Sequence, residues 1–494
     1  FLCACRPLPF TFEFLVFKCN YLFMKQLTSC LLLLYVLYLP TLAQQTSTVY
    51  AIKNVTVIPM NREVALLDQT VLIDKGVITQ IGNAQDVKIG KSVTVVDGRG
   101  KYLMPGLFDM HAHFFYEQGD NINTCKEELQ MMLANGLTTV RIECGDPVYL
   151  DAREKVKNQE WIGPQLYVVS PQFVGAWPWP GKVFAAVCDT PEKAEAAVKR
   201  YKAEGYDEIK ITFMVKREVY DAIIKTAKKE GMKVTGHVGP QVKLPAALAA
   251  RQQIEHMDEF IDMLLPDSSY NYGQSVSDMN IWRKNAWATV PCLDDNKIPA
   301  LAKMVKDAGI YVTPTNFFFF SSFGEGRTDE QYKQRPDYQY IPSNIKTERW
   351  NIKERYWKNP PPEESRKKYV YLRKKMTFEL WKAGVPLMAG SDSPEWFLAQ
   401  GFSIHDELET FVQAGISPFS ALQTATVNTA AYLGVSERKG TIEKGKQADL
   451  LLLDKNPLED IRNTRSISGL WIGGKYYNQK GIEKMLEAAK ILGR

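Results

Sequence analysis

The sequence predicts an α/β fold, a (β/α)8 TIM barrel with a small β-sandwich domain built from both chain ends. Three observations lead to this prediction. A helix, glycine, strand unit recurs in the middle of the chain, polar residues follow several of the predicted strands, and both ends show strand and turn patterns without helices.

The recurring unit is an amphipathic helix that ends at a glycine and precedes a short strand rich in β-branched residues. It occurs in "ELQMMLANGLTTVRI", "AEAAVKRYKAEGYDEIKITF", "YDAIIKTAKKEGMKVTGHV", "IPALAKMVKDAGIYVTPT" and "FELWKAGVPLMAGSD". Thr190-Pro191 and Ser417-Pro418 fit helix starts, with the hydroxyl residue as the N-cap. We expect the glycines of these units to adopt the left-handed conformation that ends a helix: Gly136, Gly205, Gly231, Gly309 and Gly384.

The strands of the barrel follow from the same pattern. Adding "LMPGLFDMHAH", "QLYVVSPQ" and "AARQQIEHM" gives eight candidate strands, most of them followed by a helical pattern. Alternating helices and nearly continuous apolar strands indicate a parallel sheet, and eight units favour a closed barrel. A doubly wound open sheet is the alternative.

The two ends of the chain predict a different architecture. "TVYAIKNVTVIPM" and "TVLIDKGVITQIG" precede the barrel, and "GTIEKGKQADLLLLD" and "ISGLWIGGKYY" follow it, all with strand and turn patterns. We therefore expect residues 44–104 and 436–494 to form the β-sandwich domain and residues 105–435 to form the barrel. Residues 317–368, rich in Tyr, Pro, Lys and Arg, are predicted to be an elaborated loop that serves as a lid or wall of the site.

The composition narrows the class of partner. The 494 residues are 45% apolar and 24% charged, with a net charge of +5. This is ordinary for a globular protein and provides no basic surface for nucleic acid. We expect a small-molecule or dipeptide-like substrate, and the sequence leaves a homo-oligomer open.

Residues 1–43 are predicted to be an upstream segment followed by a secretory signal peptide. Lys25 supplies the charged start, the stretch from Cys30 to Leu39 is apolar, and small residues allow cleavage after Ala43. Because the apolar run is too short to span a bilayer comfortably, we expect an exported, periplasmic or secreted protein without a stable membrane span. The cysteines beyond this segment have no zinc-finger or dense disulfide spacing, which leaves one bridge open: Cys125, Cys144, Cys188 and Cys292.

Two histidines stand one residue apart at the end of the first predicted strand, in a chain that has only five. In an extended segment His111 and His113 share one face, so both can bind a single ion. His237, His256 and Asp392 lie at the ends of strands five, six and eight, where such barrels build their sites. Imidazole and carboxylate groups together predict a metal site, with zinc favoured and manganese, iron or cobalt as alternatives.

Lys210 at the end of the fourth predicted strand is a cation among these candidate ligands. A buried ammonium is costly and repels metal ions. A deprotonated lysine can instead react with carbon dioxide to form a carbamate, whose oxygens can bridge two ions. The alternative is a lysine paired with Asp207 or Glu208 or extended to the rim, and Lys210 alone leaves both interpretations open.

These segments resemble the amidohydrolase superfamily, in the branch of imidazolonepropionase-like enzymes and Xaa-Pro dipeptidases. The resemblance extends from about Val49 to Lys475 and rests on "MPGLFDMHAH", "GLTTVR", "IKIT", "VTGHV", "IEHMDE", "AGSDSP", "HDELETFVQAGISPFSALQTATVNTAAYLG" and "GTIEKGKQADLLLLDKNPLEDI". Together these motifs are highly specific.

The resemblance implies a hydrolase that cleaves an amide or related C–N bond with two divalent metal ions. One ion would be held by His111, His113 and Asp392 and the other by His237 and His256, with a carboxylated Lys210 between them. Two such ions about 3.5 to 4 Å apart lower the pKa of a bridging water toward ~7 and polarise a carbonyl. Asp392 is then the catalytic residue, which takes the proton of the attacking hydroxide and passes it to the leaving amine. The alternative for Asp392 in "GSDSP" is a turn cap.

Three further residues have structural interpretations, and two of them also have a functional one. The resemblance suggests that His405 faces the substrate, whereas a histidine at a helix start is otherwise structural. Arg141 can meet a substrate carboxylate or can hold a loop by a salt bridge. Glu255 is expected to point to the strand face opposite His256 and to support the site without taking part in catalysis.

The chain departs from the dipeptidases between strands four and five. Those enzymes have a longer, glycine-bearing loop with an aromatic hydroxyl near the scissile carbonyl, whereas "ITFMVKREVYDAI" runs almost directly into a helix that already contains Tyr220. We expect a dipeptidase or N-acyl amino acid hydrolase, with a mononuclear hydrolase or deaminase of a cyclic amide or amidine as the alternative and a non-catalytic binding protein as a third. The aromatic runs "GAWPWPG" and "FFFFSSFGEG" predict either an apolar pocket or core packing.

Overall fold

A computed structural model describes residues 48–115, 122–175, 185–212, 214–257, 259–266, 286–324 and 327–493. The predicted upstream segment and signal peptide lie outside these ranges, as does most of "GAWPWPG". None of the helices in these ranges combines the length and the apolar character that crossing a bilayer requires. None of the four cysteines in these ranges forms a disulfide, so the bridge that the sequence left open is not found among them.

The strands of the described residues are short and fall into three sheets. They are β1 (Tyr50–Val57), β2 (Leu66–Asp74), β3 (Val77–Asn83), β4 (Thr94–Asp97), β5 (Tyr102–Pro105), β6 (Leu107–Ala112), β7 (Leu137–Ile142), β8 (Gln165–Val168), β9 (Gln172–Val174), β10 (Ala185–Val187), β11 (Glu208–Ile211), β12 (Lys233–Gly236), β13 (Gln253–Glu255), β14 (Val312–Thr313), β15 (Leu450–Leu453), β16 (Ile467–Ile472) and β17 (Lys475–Asn478).

The α-helices of the described residues lie mainly between β6 and β15. They span Ile122–Ala134, Pro147–Lys157, Pro191–Glu204, Arg217–Lys229, Leu244–Ala249, Ile298–Ala308, Asn316–Phe319, Asp329–Lys333, Ser343–Trp357, Glu363–Lys382, Phe402–Gln413, Pro418–Thr424, Val427–Leu433 and Gln479–Ala489.

The first sheet joins the two ends of the chain. Its order is β17-β16-β15-β5-β1-β2-β3, with β4 beside β1. The link is the antiparallel pair of β5 and β15, in which Met104 lies opposite Leu451. Apolar residues from both ends, including Ile52, Val71 and Trp471, form one buried cluster. Both ends therefore build one mixed sheet, while the sandwich architecture and the domain boundaries stay predictions.

The other two sheets are parallel, as the alternating pattern predicts. One has the order β6-β7-β8 and the other β10-β9-β11-β12-β13-β14. Every residue of β6, β7 and β11 is buried, because a parallel strand is covered on both faces. The α/β class is confirmed, but the sequence did not predict the short strand β10.

The eighth predicted strand, within "VPLMAGSD", is not a regular strand. Leu387 makes an isolated parallel bridge to Val312, and Ser393, which directly follows the segment, makes another to Ala112. A ladder needs consecutive extended residues, and Asp392 instead has a left-handed backbone with φ 54°. The segment still hydrogen-bonds to both neighbours, because Met110 N–H donates to the carbonyl of Ala389 at 2.9 Å and Met388 N–H donates to that of Val312 at 2.9 Å.

The helix ends follow the predicted chemistry. The five glycines named above all have positive φ, between 64° at Gly309 and 90° at Gly205. Thr190 and Ser417 cap their helices by accepting hydrogen bonds from the N–H groups of Lys193 and Ser420. These stop and start signals are local, so they could be read directly from the sequence.

Residues 317–368 are largely helical, so the prediction of an elaborated loop was wrong. Helices Asp329–Lys333 and Ser343–Trp357 lie in this segment, and Phe320–Gly324 forms a short π-helix. The prediction failed because helix Ser343–Trp357 has polar residues all round and only Ile345 buried, so it shows no amphipathic pattern. The phenylalanines of "FFFFSSFGEG" are mostly buried and pack as core. A role as a lid or wall stays a prediction.

Candidate metal centre

The structure brings the histidines at the strand ends together around Asp392. One carboxylate oxygen, Oδ1, lies 3.4 Å from Nε2 of His111 and 3.3 Å from Nε2 of His113. The other oxygen lies 3.7 Å from Nδ1 of His256. The His237 ring stacks on that of His256 with 4.7 Å between centroids. All five side chains therefore meet at one small buried location, as the strand-end argument predicts.

The backbone of two distant segments holds this arrangement. The extended end of β6 places the imidazoles of His111 and His113 on one side, with ring centroids 5.3 Å apart. The N–H of Asp392 donates to the carbonyl of His111 at 2.7 Å, and the N–H of His113 donates to that of Ser393 at 2.7 Å. These bonds hold the aspartate turn against the histidine pair.

Glu255 points into the cluster, so the expectation that it faces away from His256 was wrong. Its Oε2 accepts a hydrogen bond from Nδ1 of His111 at 2.8 Å, and it is fully buried. Side chains alternate only along an extended strand, and His256 has a left-handed backbone with φ 61°. The turn in the backbone directs the side chains of both Glu255 and His256 toward His111. Glu255 therefore supports the site, as expected, but it does so by contacting a candidate ligand directly.

Two hydrogen bonds fix which ring nitrogen can bind an ion. Because Nδ1–H of His111 donates to Glu255, Nε2 keeps its lone pair. The hydroxyl of Thr315 donates to the carbonyl of Pro314 at 2.8 Å, so its oxygen accepts Nδ1–H of His256 at 2.8 Å. The Nε2 atom of His256 is then also available for a metal ion.

Burial keeps these imidazoles neutral. It lowers the pKa of His237 to about 3 and lowers the pKa of His111 and of His256 well below the ordinary range, with the positive charge of Lys210 acting in the same direction. Burial raises the pKa of Asp392, against the opposing contact with His113. Neutral imidazole is the form that binds metal ions, so this donor set suits a divalent ion such as zinc.

Lys210 is in the site, but its amine contacts a residue that the sequence argument missed. Its Nζ lies 2.7 Å from Oε2 of Glu143, and both side chains are buried. The alternative partners Asp207 and Glu208 instead pair with arginines, at 3.0 Å from Arg153 and 3.1 Å from Arg141. Glu143 directly follows β7, so the strand-end rule that identified the other residues could have identified it.

Arg141 forms the buried base of the site. Its guanidinium contacts Glu143 at 2.9 Å, Glu208 at 3.1 Å and Glu255 at 2.5 Å, and its side chain has no exposed surface. Such a group has no free face for a substrate carboxylate. The geometry therefore favours the salt-bridge interpretation of Arg141 over the substrate-binding one.

A second group of possible ligands consists of His111, Glu143 and Glu255, with one donor atom of each within 4.8 Å of the others. Arg141 contacts both carboxylates, and Lys210 contacts Glu143. Two cations already contact these two carboxylates, so a divalent ion there would be repelled by both Arg141 and Lys210. The group around Asp392 is therefore the candidate metal centre.

His405 and Tyr220 lie in other surroundings. The ring nitrogens of His405 contact Thr464 Oγ1 at 2.9 Å and the carbonyl of Asn135 at 3.0 Å, and the side chain is buried. Both nitrogens are thus engaged within the protein, which favours the structural interpretation over a substrate-facing one. Tyr220 is buried in helix Arg217–Lys229, as predicted.

Comparisons with known proteins agree with this picture. The model of the amidohydrolase family matches residues 102–476. An ochratoxinase of Aspergillus niger is 32% identical over 114 residues, which cover 22% of this chain and 23% of that protein. An imidazolonepropionase of Thermoplasma volcanium is 36% identical over 81 residues, which cover 16% of this chain and 19% of that protein. The matched stretches thus span less than a quarter of these relatives' length.

A structural likeness extends over much more of the chain. The crystal structure of an Xaa-Pro dipeptidase with methionine in its active site aligns with a TM-score of 0.62 and 21% identity, covering 87% of this chain and 100% of that one. At this identity the likeness concerns the fold, which is a TIM-barrel-like α/β fold. The predicted resemblance to the imidazolonepropionase-like and Xaa-Pro dipeptidase-like branch is confirmed.

Proposed function

Because the chain belongs to the amidohydrolase family, we propose that it is a metal-dependent hydrolase that cleaves an amide or related C–N bond. The observation that carries the proposal is the position of the lone-pair nitrogens: Nε2 of His111 and Nε2 of His113 lie 3.4 and 3.3 Å from one oxygen of the Asp392 carboxylate. Neutral buried imidazoles around one carboxylate are the donor set of a catalytic metal site.

The ligands of the proposed centre are the strand-end residues. His111, His113 and Asp392 would hold one divalent ion, and His237 and His256 the other, with zinc as the favoured metal. Lys210, carboxylated by carbon dioxide, would serve as the bridging ligand. Ions bound there supply a water activated near neutral pH and a positive charge that polarises the carbonyl of the substrate.

The residues of the chain have three tasks in this proposal. Asp392 accepts the proton of the attacking water and returns it to the leaving amine. Its carboxylate can do so because it lies at the centre of the cluster. Glu255 fixes the His111 ring by accepting Nδ1–H at 2.8 Å. The burial of Asp392, His111, His113 and His256 limits access of bulk water, which strengthens the charge interactions in the site.

The same proposal includes the closed form of the barrel. The two parallel sheets are connected at one side by the N–H of Ser170, which donates to the carbonyl of Glu208 at 2.8 Å. At the other side the segment that contains Met388 and Asp392 bonds to both β14 and β6. These bonds support a closed eight-stranded arrangement with an irregular eighth strand. We also propose that the protein is exported through the predicted signal peptide and that the sheet built from both ends belongs to a β-sandwich domain.

The substrate class is proposed from the resemblance and the comparisons. One structural neighbour is an Xaa-Pro dipeptidase, and relatives include an ochratoxinase and an imidazolonepropionase. We favour a dipeptide or an N-acyl amino acid as substrate. Helix Arg217–Lys229 begins six residues after β11, which leaves no room for the long loop that follows this lysine in the Xaa-Pro dipeptidases. The chain therefore departs from those enzymes at this point.

A mononuclear hydrolase or deaminase of a cyclic amide or amidine is the second candidate, and one contact favours it. The amine of Lys210 is engaged with the carboxylate of Glu143 at 2.7 Å, and a lysine held in that ion pair is not a bridging ligand. A mononuclear centre would need only the group around Asp392.

Metal analysis separates these candidates. We expect about two ions per chain after expression with zinc and bicarbonate, and about one ion if the centre is mononuclear. Lys210→Ala should lose one ion and most activity in the first case and keep its ion in the second. Absence of bound metal from the wild-type protein would instead support a non-catalytic binding protein.

Activity is tested with a library of dipeptides and N-acyl amino acids, with lactams and cyclic amidines as the second set. Cleavage of a peptide or N-acyl bond supports the leading proposal, and cleavage of only the cyclic compounds supports the second. Asp392→Asn is the matched control, because it keeps the shape of the side chain and removes the proton acceptor. An Asp392→Asn variant as active as the wild type would overturn the assignment.

A further inference from the structure

We infer that Asp109 is the positioning residue of Asp392, because its buried carboxylate ties the histidine strand to the aspartate turn through three hydrogen bonds. This inference rests on the proposed function only in calling Asp392 catalytic. Asp109 has no exposed surface and contacts no substrate-accessible space, so it acts through other groups.

The three bonds connect segments that lie 282 residues apart. Oδ1 of Asp109 accepts the N–H of His111 at 3.1 Å and the N–H of Ser391 at 3.0 Å. Oδ2 accepts the hydroxyl of Ser391 at 2.6 Å. One carboxylate thus bonds to the backbone of one candidate ligand and to the residue directly before another.

The turn that carries Asp392 needs such an anchor. Asp392 has φ 54°, in the left-handed region that few residues with a side chain adopt, although aspartate tolerates it better than most. The segment makes only isolated bridges, so no continuous ladder fixes it. The anchor extends further, because the hydroxyl of Ser391 also contacts that of Ser393 at 2.8 Å, on the other side of Asp392.

The direction of these bonds sets what each substitution removes. The hydroxyl of Ser391 donates to Asp109, so it accepts from the hydroxyl and the N–H of Ser393, the latter at 3.2 Å. Asp109→Asn keeps an oxygen for the two N–H groups and offers an N–H to Ser391, whose hydroxyl can then turn toward Ser393. Asp109→Ala removes all three bonds. The asparagine variant should therefore rescue much of what the alanine variant loses.

The test uses the full chain and two measurements that need no known substrate. Hydrogen–deuterium exchange in metal-free protein should be about tenfold faster in the peptide around Ser391 and Asp392 for Asp109→Ala, and close to wild type for Asp109→Asn. Zinc release to a chelator should be about tenfold faster for Asp109→Ala. Where a substrate is identified, kcat should fall about 100-fold with little change in KM.

A buried carboxylate elsewhere supplies the control. Asp337 is buried and pairs with Arg335 at 2.8 Å, outside the cluster. Asp337→Ala should lower stability without changing exchange near Asp392 or zinc release. The inference is overturned if Asp109→Ala leaves both measurements unchanged, or if Asp337→Ala changes them equally.

A second variant covers the case in which Asp109→Ala does not fold. Ser391→Ala removes the 2.6 Å bond and keeps both backbone bonds, so it should give an intermediate increase in exchange. Wild-type exchange around Asp392 in Ser391→Ala would overturn the inference. Failure of the proposed function would appear differently, as a wild-type protein that binds no metal and cleaves no substrate while the exchange results stand.

Discussion

The ion pair between Lys210 and Glu143 gives the sharpest quantitative prediction. The two charged atoms lie 2.7 Å apart, and the side chains are almost completely buried. Two unit charges at this distance attract by about 6 kcal/mol at an effective dielectric constant of about 20, before the cost of burying them. Removing one partner of a buried pair leaves the other uncompensated and typically costs about 3 to 5 kcal/mol.

We therefore expect Lys210→Met and Glu143→Gln each to lower the free energy of unfolding by about 3 kcal/mol or more in metal-free protein. The double variant should lose less than the sum by about 2 kcal/mol, because each single change already breaks the same contact. The coupling stays below the full Coulomb energy, since Arg141 also contacts Glu143 at 2.9 Å and screens it. Urea unfolding of the four proteins at one pH measures the cycle.

Two results would contradict this reasoning. Additive effects within about 0.5 kcal/mol would show that the pair is not an energetic unit. Loading with zinc and bicarbonate provides the second arm, because a carbamate on Lys210 carries negative charge and cannot attract Glu143. The coupling should then vanish or change sign in a carboxylated protein, and an unchanged coupling would argue for the mononuclear candidate.

The remaining predictions concern single residues. Glu255→Gln should weaken zinc binding about 10- to 100-fold, because Glu255 orients the His111 ring; unchanged competition against a chelator would refute this. Burial lowers the pKa of His405 to about 3, so below about 6.5 the unfolded chain gains a proton that the folded protein excludes. The contribution of His405 to stability should fall by about 1.4 kcal/mol per pH unit between roughly pH 6 and pH 4, so His405→Gln, compared by urea unfolding, should lose stability less steeply than the wild type. Gly231→Ala should cost about 1 kcal/mol for its φ of 66° alone, whereas Gly136→Ala should cost more because its new methyl would lie 2.8 Å from Leu451; equal unfolding midpoints would contradict the comparison.

The sequence predicted the local parts of this fold well. Helix stops at glycine and helix starts at Thr190 and Ser417 depend on interactions within a few residues. The parallel strands were predicted from their apolar runs, although their pairing joins residues far apart in the chain. The prediction from sequence failed where the local residue pattern does not indicate the secondary structure. The polar helix Ser343–Trp357 shows no apolar stripe, and the segment around Asp392 looks like a strand although its backbone turns there.

For the candidate site, the sequence by itself determined the set of groups. The position of His111, His113, His237, His256 and Asp392 after predicted strands was enough to expect them together, since parallel strands end at one rim. Only the tertiary structure decided which partner each group has. The contact of Lys210 with Glu143 and the turn of Glu255 toward His111 depend on backbone angles and on distances between strands far apart in the chain. A strand pattern fixes which residues reach the rim, but the pairing of charges there is set by distances of 2.5 to 3.7 Å that no sequence spacing encodes.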